Sequence, residues 1–206
     1  MDSNDIRKRP RRLRSLFRLG RDREGAAALE FALLAVPFLL LIFAIFETFV
    51  AFAGEQLMAN AVETMARKLR TGEITFGQGK PTDVTEAEFR QMFCDEIKLL
   101  GMCSATEATT PAKLYLDVRQ FASFADMPRE VPKVSTADYA DLDTTDFAFA
   151  PGGANSKNSF RAYYRWQIMT DLMRPYITNI RPANKPIPTD FLIVQTAAFE
   201  NEDYDD

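Results

Sequence analysis

The chain has 206 residues, room for one modest domain plus a membrane anchor, with 25 basic and 29 acidic side chains and a net charge of -4. It contains no histidine and two cysteines, which excludes Ser-His-Asp and Cys-His nucleophilic sites and every histidine-based metal site. Catalysis by paired carboxylates survives that exclusion, but no credible catalytic set is evident. The chain reads as a non-enzymatic protein without a cofactor.

The charge is unevenly spread. Residues 1–25 carry nine basic side chains against four acidic ones, or +5, leaving 16 basic and 25 acidic residues, or -9, in the remainder. Basic flanks of membrane helices stay on the cytoplasmic side, so the N-terminus is expected inside and the residues after about 54 exported. A basic arm is also a nucleic-acid footprint. Its position beside an apolar run favours topology or leader recognition, and no nucleic-acid partner is expected.

Between residues 26 and 46 only Glu30 is charged, and a helix of that length rises about 31 Å, one hydrocarbon core. A charged acid within a span costs up to about 2.5–3.5 kcal/mol on translocon scales, which makes Glu30 a candidate functional residue. Pro37 removes one backbone donor and predicts a bend of the kind membrane helices tolerate. Beyond the span, Leu57, Met58, Ala61, Val62, Met65, Ala66 and Leu69 recur at helical spacing, and Gly72 marks the stop. One helix is predicted over residues 26–71, hydrophobic all round and then amphipathic. The expected organisation is a basic leader over 1–25, a transmembrane helix over 26–53, its amphipathic continuation over 54–72, an exported domain over 73–199 and an acidic tail over 200–206.

After a turn-rich linker, Thr85-Glu86-Ala87-Glu88 has capping-box spacing, and Phe89, Met92, Phe93, Ile97 and Leu100 give a helical stripe ending at Gly101. Cys94 lies in that helix and Cys103 beyond the turn. A fold-back at Gly101 would let them pair in an oxidising compartment. Their separation is not C-x-x-C, so a structural disulfide is expected rather than a redox-active pair. Alternation predicts strands over 113–121, 160–168 and 191–199, forming an antiparallel sheet with one face on a core supplied by the amphipathic helix. The fold class is therefore α+β: a long N-terminal helix packed on a small antiparallel sheet with one further helix. Residues 122–159 form a long irregular stretch, expected to be an interaction surface unless it hides a short helix. Asp138, Asp141, Asp143 and Asp146 are a weak Ca²⁺ candidate. They lack EF-hand order and the central glycine, and read better as a solvated acidic loop. Strict alternation likewise assigns Tyr163, Tyr164, Arg165 and Trp166 to a sheet rather than to base stacking.

The charged leader ending in Gly25, followed by Ala26-Ala27-Ala28-Leu29-Glu30-Phe31 and a continuous apolar helix, resembles the G/xxxxEF processing motif of TadE-like minor pseudopilins. These belong to the tight-adherence, or Flp, branch of type IV pili. The resemblance extends to the Pro-containing span ending in Glu47, the helix end at Arg70-Thr71-Gly72, the cysteine pair and residues 196–202. Length fits the TadE or TadF type rather than the longer TadG type. The resemblance implies a pilin-like fold and cleavage between Gly25 and Ala26 by a membrane-embedded prepilin peptidase. It also implies an assembly contact between the new Ala26 amine and Glu30 of a neighbouring subunit. The implied partners are that peptidase, the major Flp pilin, other minor pseudopilins, the inner-membrane assembly platform and the lipid bilayer. The implied location is the bacterial inner membrane with the C-terminal domain periplasmic.

Two other readings compete. Ala51-Phe52-Ala53 before Gly54 resembles a signal-peptidase site, which would release a periplasmic module, although the apolar run far exceeds a signal-peptide core. Arg11-Arg12 resembles a twin-arginine signal, but the flanking residues match poorly. An envelope protein that is never cleaved is the remaining alternative.

Overall fold

The computed structural model describes residues 23–204; residues 1–22, which hold most of the basic leader and Arg11-Arg12, and the last two residues lie outside the described part. The described chain falls into two units, one ending at Ile45 and one beginning at Phe46.

Helix α1, Arg23–Arg70, is continuous through Pro37. From Ala26 to Ile45 its side chains are almost all exposed, among them Leu29, Phe31, Leu33, Leu34 and Phe38. This is the described helix long and apolar enough to cross a membrane. From Met58 onward one face is buried through Met58, Ala61, Val62, Met65 and Leu69, the predicted amphipathic stripe. Gly72 ends the helix in the left-handed region (φ 74°), a conformation glycine enters without a Cβ penalty. Its N–H donates to the Leu69 carbonyl at 3.3 Å, and that of Ile74 reaches Lys68 at 3.1 Å.

Helix α2, Glu86–Ile97, starts with the predicted capping box. The Glu88 N–H donates to the Thr85 hydroxyl (3.3 Å), and the Glu88 carboxylate accepts from the Thr85 N–H (2.7 Å). A 3₁₀ turn, Lys98–Leu100, and left-handed Gly101 then reverse the chain. Cys94 and Cys103 are disulfide-bonded with Cα atoms 5.5 Å apart. Closing this short loop lowers the entropy of the unfolded chain, so replacing both cysteines by serine is expected to cost about 2–3 kcal/mol. Thermal unfolding of the oxidised protein against the double variant measures it.

The sheet has the order β2-β1-β3-β4, with β1 Leu114–Phe121, β2 Phe149–Ala150, β3 Lys157–Gln167 and β4 Asp190–Glu200. Strands β1/β3 and β3/β4 pair antiparallel, with Leu114 opposite Tyr164 and Gln167 opposite Asp190. Strand β2 pairs parallel to β1 through Val118↔Phe149 and Arg119↔Ala150. The sheet is therefore mixed, correcting the expected antiparallel one. A two-residue strand carries too little alternation to be read from sequence.

One sheet face packs on the helices: Leu114, Leu116, Val118, Phe160, Ala162, Tyr164 and Ile193 meet the α1 stripe and Phe89, Phe93 and Ile97 of α2. The other face is covered as well. Leu142, Tyr163, Ile180 and Leu192 form a second buried cluster backed by Tyr115, Val131 and Phe147. Residues 122–159 thus serve largely as a lid on the sheet. They contain a short 3₁₀ turn, Phe124–Asp126, besides β2. A further short helix, α3 Arg174–Ile177, precedes β4.

Burial lifts the Tyr163 and Tyr164 hydroxyls to about 12, helped for Tyr163 by Asp117 against its arginine neighbours and for Tyr164 by Glu107. A raised folded value favours the neutral phenol. The stability it contributes is complete below pH 10 and lost as pH rises from 10 towards 12. Tyrosinate absorbance is expected to show two late-titrating tyrosines whose ionisation accompanies unfolding.

Candidate functional site: the N-terminal helix and its anchorage

Gly25 falls within α1, two residues after the helix begins. Ala26 and Glu30 are both exposed and stand four residues apart, one helical turn on a shared face. Glu30 is followed by Phe31, 74 % exposed, in a run where Leu33 and Leu34 are equally open. Glu30 is thus an acid on the outer surface of an apolar helix.

Glu47, at the far end of the uncharged run, was read only as the end of the span. Its carboxylate accepts from the main-chain N–H groups of Met169 and Thr170 and from the Thr170 hydroxyl. It fastens the segment after β3 to α1. Its isolation as the sole acid between Phe31 and Gly54 was the signal available in the sequence.

The signal-peptidase alternative meets a structural obstacle. Ala51 is 6 % exposed inside the helix, and a Cβ on Gly54 would lie 3.1 Å from the Trp166 ring. Cleavage after Ala53 would cut a helix that is packed against the sheet domain.

The four aspartates do not form a ligand cluster. Asp141 pairs with Arg165 at 2.9 Å and caps the Ala183 N–H at 3.2 Å. Asp143 accepts from the Thr145 hydroxyl and N–H, which hold its carboxyl below the usual range. Asp138 is exposed, and Asp146 lines a small cleft together with Arg119 and Arg161. Among the described residues no group of three or more His, Cys, Asp or Glu side chains is placed to hold a metal ion.

The acidic tail is not a free appendage in its described part. Glu200 belongs to β4, and Asn201 is 4 % exposed. The Asn201 side-chain amide donates to the Gly152 and Gly153 carbonyls at 2.9 Å, and its oxygen accepts from Asn158 at 3.0 Å. The Glu202 N–H donates to Arg70 O at 2.9 Å, and its carboxylate pairs with the Arg70 guanidinium at 3.3 Å. Tyr204 lies against Gly72, where any Cβ would approach its ring to 2.7 Å. Residues 196–202 therefore stitch the last strand to the end of α1.

These features define an α+β protein carried on a helix suited to a membrane span. Residues 25–67 match the family model of TadE-like proteins, so this stretch of α1 is TadE-like. The match begins at Gly25 and stops short of the sheet. No curated protein and no solved structure matches the chain.

Proposed function

We propose that the chain is a non-enzymatic minor pseudopilin that primes or caps assembly of a Flp-type pilus at the bacterial inner membrane. The observation that carries this reading is the TadE-like match starting at Gly25, on a helix that presents Glu30 from an exposed apolar surface. A prepilin peptidase would cut between Gly25 and Ala26 on the cytoplasmic side. The glycine lets backbone approach a protease cleft closely. Cleavage creates an α-amino group on Ala26, mostly cationic at neutral pH given a reference value near 8. Glu30 of a neighbouring subunit would pair with it, relieving two charges that are costly to bury singly. The partners are then the peptidase, the major pilin, other minor pseudopilins and the assembly platform. An exported sheet domain suits a tip better than a densely packed shaft.

The mature N-terminus tests this directly. In cells that have the peptidase, intact mass or Edman sequencing is expected to give Ala26, and Gly25→Ala to leave the full precursor. An unprocessed wild-type chain would instead indicate the plain envelope anchor. Glu30→Ala is expected to insert into the membrane at wild-type levels yet lose assembly; normal piliation in that variant would remove the proposed role.

A further inference from the structure

Among the described residues after Phe46, the most exposed large hydrophobic side chains are Met169 (86 %), Leu99 (83 %) and Tyr176 (80 %). They come from separate segments, yet the fold draws them towards one end of the sheet domain. Glu47 accepts from the main-chain N–H groups of Met169 and Thr170, which fixes that segment beside the first turn of α1 within this unit. Leu99 and Leu100 wall an open hollow with Phe49 and Phe52 of α1, both exposed as well. Leu100 recurs in a second hollow with Met169 and Trp166. Tyr176 follows in α3, and exposed Leu172 lies between it and Met169 in the chain. Apolar surface gathered in one place from several elements marks an interaction site, whereas single exposed hydrophobics do not.

We propose that this end of the domain docks on the lipid bilayer itself: Phe49, Phe52, Leu99, Met169, Leu172 and Tyr176 enter the headgroup–acyl boundary of the membrane that α1 crosses. Chain distance identifies the occupant. The uncharged run ends at Phe46, and Glu47 is the first charge after Glu30, so Glu47 falls at the hydrocarbon boundary. The polar layer beyond that boundary is about 5–8 Å deep on each side. Counted from Phe46, Phe49 and Phe52 lie at most about 4.5 and 9 Å along the helix, whatever angle the chain takes there. Met169 is hydrogen-bonded to the boundary residue through its own main chain.

The side chains suit that layer. Apolar faces bury by several ångströms at the headgroup boundary without spanning it. Tyrosine keeps its hydroxyl among the headgroups while its ring meets acyl chains. Lys98, next to Leu99, and Lys113, on the wall of the second hollow, are exposed bases able to meet lipid phosphates. Asp171, the exposed acid beside the patch, is paired with Arg174 at 2.6 Å. The domain is then held at a fixed height by contacts besides its helix. The inference rests on α1 as a membrane anchor and not on the pilus reading.

The test places the full chain, isotope-labelled at its methionine methyls, in phosphatidylcholine nanodiscs that carry a nitroxide high on the acyl chain. Strong paramagnetic broadening is expected at the Met169 methyl. None is expected at that of Met127, which comes after the opposite end of β1. Leu99→Asp combined with Tyr176→Asp puts two acids into the patch at exposed positions. Melting is expected to hold in that variant, while most of the Met169 broadening is lost; should it unfold, the wild-type contrast between Met169 and Met127 decides. Met169 broadened no more than Met127, in discs that hold the chain, overturns the proposal and leaves the anchor standing. A chain that enters no disc overturns both. Broadening unchanged in the folded double variant also overturns the proposal. Met169 shielded only where a disc holds two copies makes a second copy the occupant and overturns the bilayer in that role.

Discussion

Glu107→Ala is expected to destabilise the sheet domain by about 3–5 kcal/mol, because three main-chain N–H groups lose a buried carboxylate acceptor. Glu107 is 2 % exposed. Its carboxylate oxygen accepts from the N–H groups of Ala112, Lys113 and Leu114 at 2.7, 2.7 and 2.8 Å. These donors lie where the chain enters β1, so alanine leaves three main-chain N–H groups without their acceptor at the start of a central strand. Each such unmade bond costs about 1–3 kcal/mol, and the three are not additive. Glu107→Gln keeps an acceptor in place and is expected to recover all but about 1–2 kcal/mol. Thermal unfolding of the three proteins gives the ranking. A second readout separates the clamp from mere packing. The charge of Glu107 helps hold the Tyr164 hydroxyl up, so both variants are expected to titrate Tyr164 at lower pH. Unaltered melting in Glu107→Ala would show that the loop finds other acceptors.

Glu107 also marks where sequence reading stops. Long periodic elements were legible because their signal repeats. The α1 stripe, the Thr85–Glu88 cap, the Gly72 and Gly101 stops and the three longer strands all lie within a few residues of their expected places. The cysteine pair was legible because a turn stands between its members. Three features were not. Strand β2 is only two residues long and is specified by what it packs on. The cover on the second sheet face left no local pattern, because that face carries the polar Arg161, Arg165 and Asp117. They are buried or nearly so because residues 122–159 supply partners: Glu130 O at 2.8 Å from Arg161, Asp141 for Arg165, and the Ala148 N–H for Asp117. The tail over 200–206 was set apart by its acidic charge alone, whereas Asn201 is held by the Gly152 and Gly153 carbonyls, far away in sequence. Polar residues satisfied over long sequence separations carry no local pattern, so periodicity does not detect them. For the functional motif the situation is reversed. Gly25, Ala26, Glu30 and Phe31 are contiguous, and their reading rests on sequence; the structure adds the exposure of Glu30 and the anchoring role of Glu47.

Phe89→Ala is expected to cost about 3–5 kcal/mol and to release β2 from the sheet. Phe89 is fully buried, with its ring centroid 4.7 Å from Phe149 and 5.5 Å from Phe160. Phe149 belongs to the two-residue strand β2, whose other ring neighbour is Phe76 at 5.1 Å. Two paired residues cannot hold a strand by their ladder alone, so the aromatic cluster supplies what keeps β2 beside β1. Removing Phe89 opens a cavity under Phe149, and Phe149→Ala should then cost little more. A double-mutant cycle is expected to return a coupling of about 1–3 kcal/mol. Amide exchange at Val118, which donates to Ala148 O at 2.8 Å, reports the strand itself: it should quicken in Phe89→Ala, while the β3/β4 amides stay protected. If the two losses add in full and Val118 remains protected, β2 is held by the lid over residues 122–148 rather than by the helix α2 aromatics.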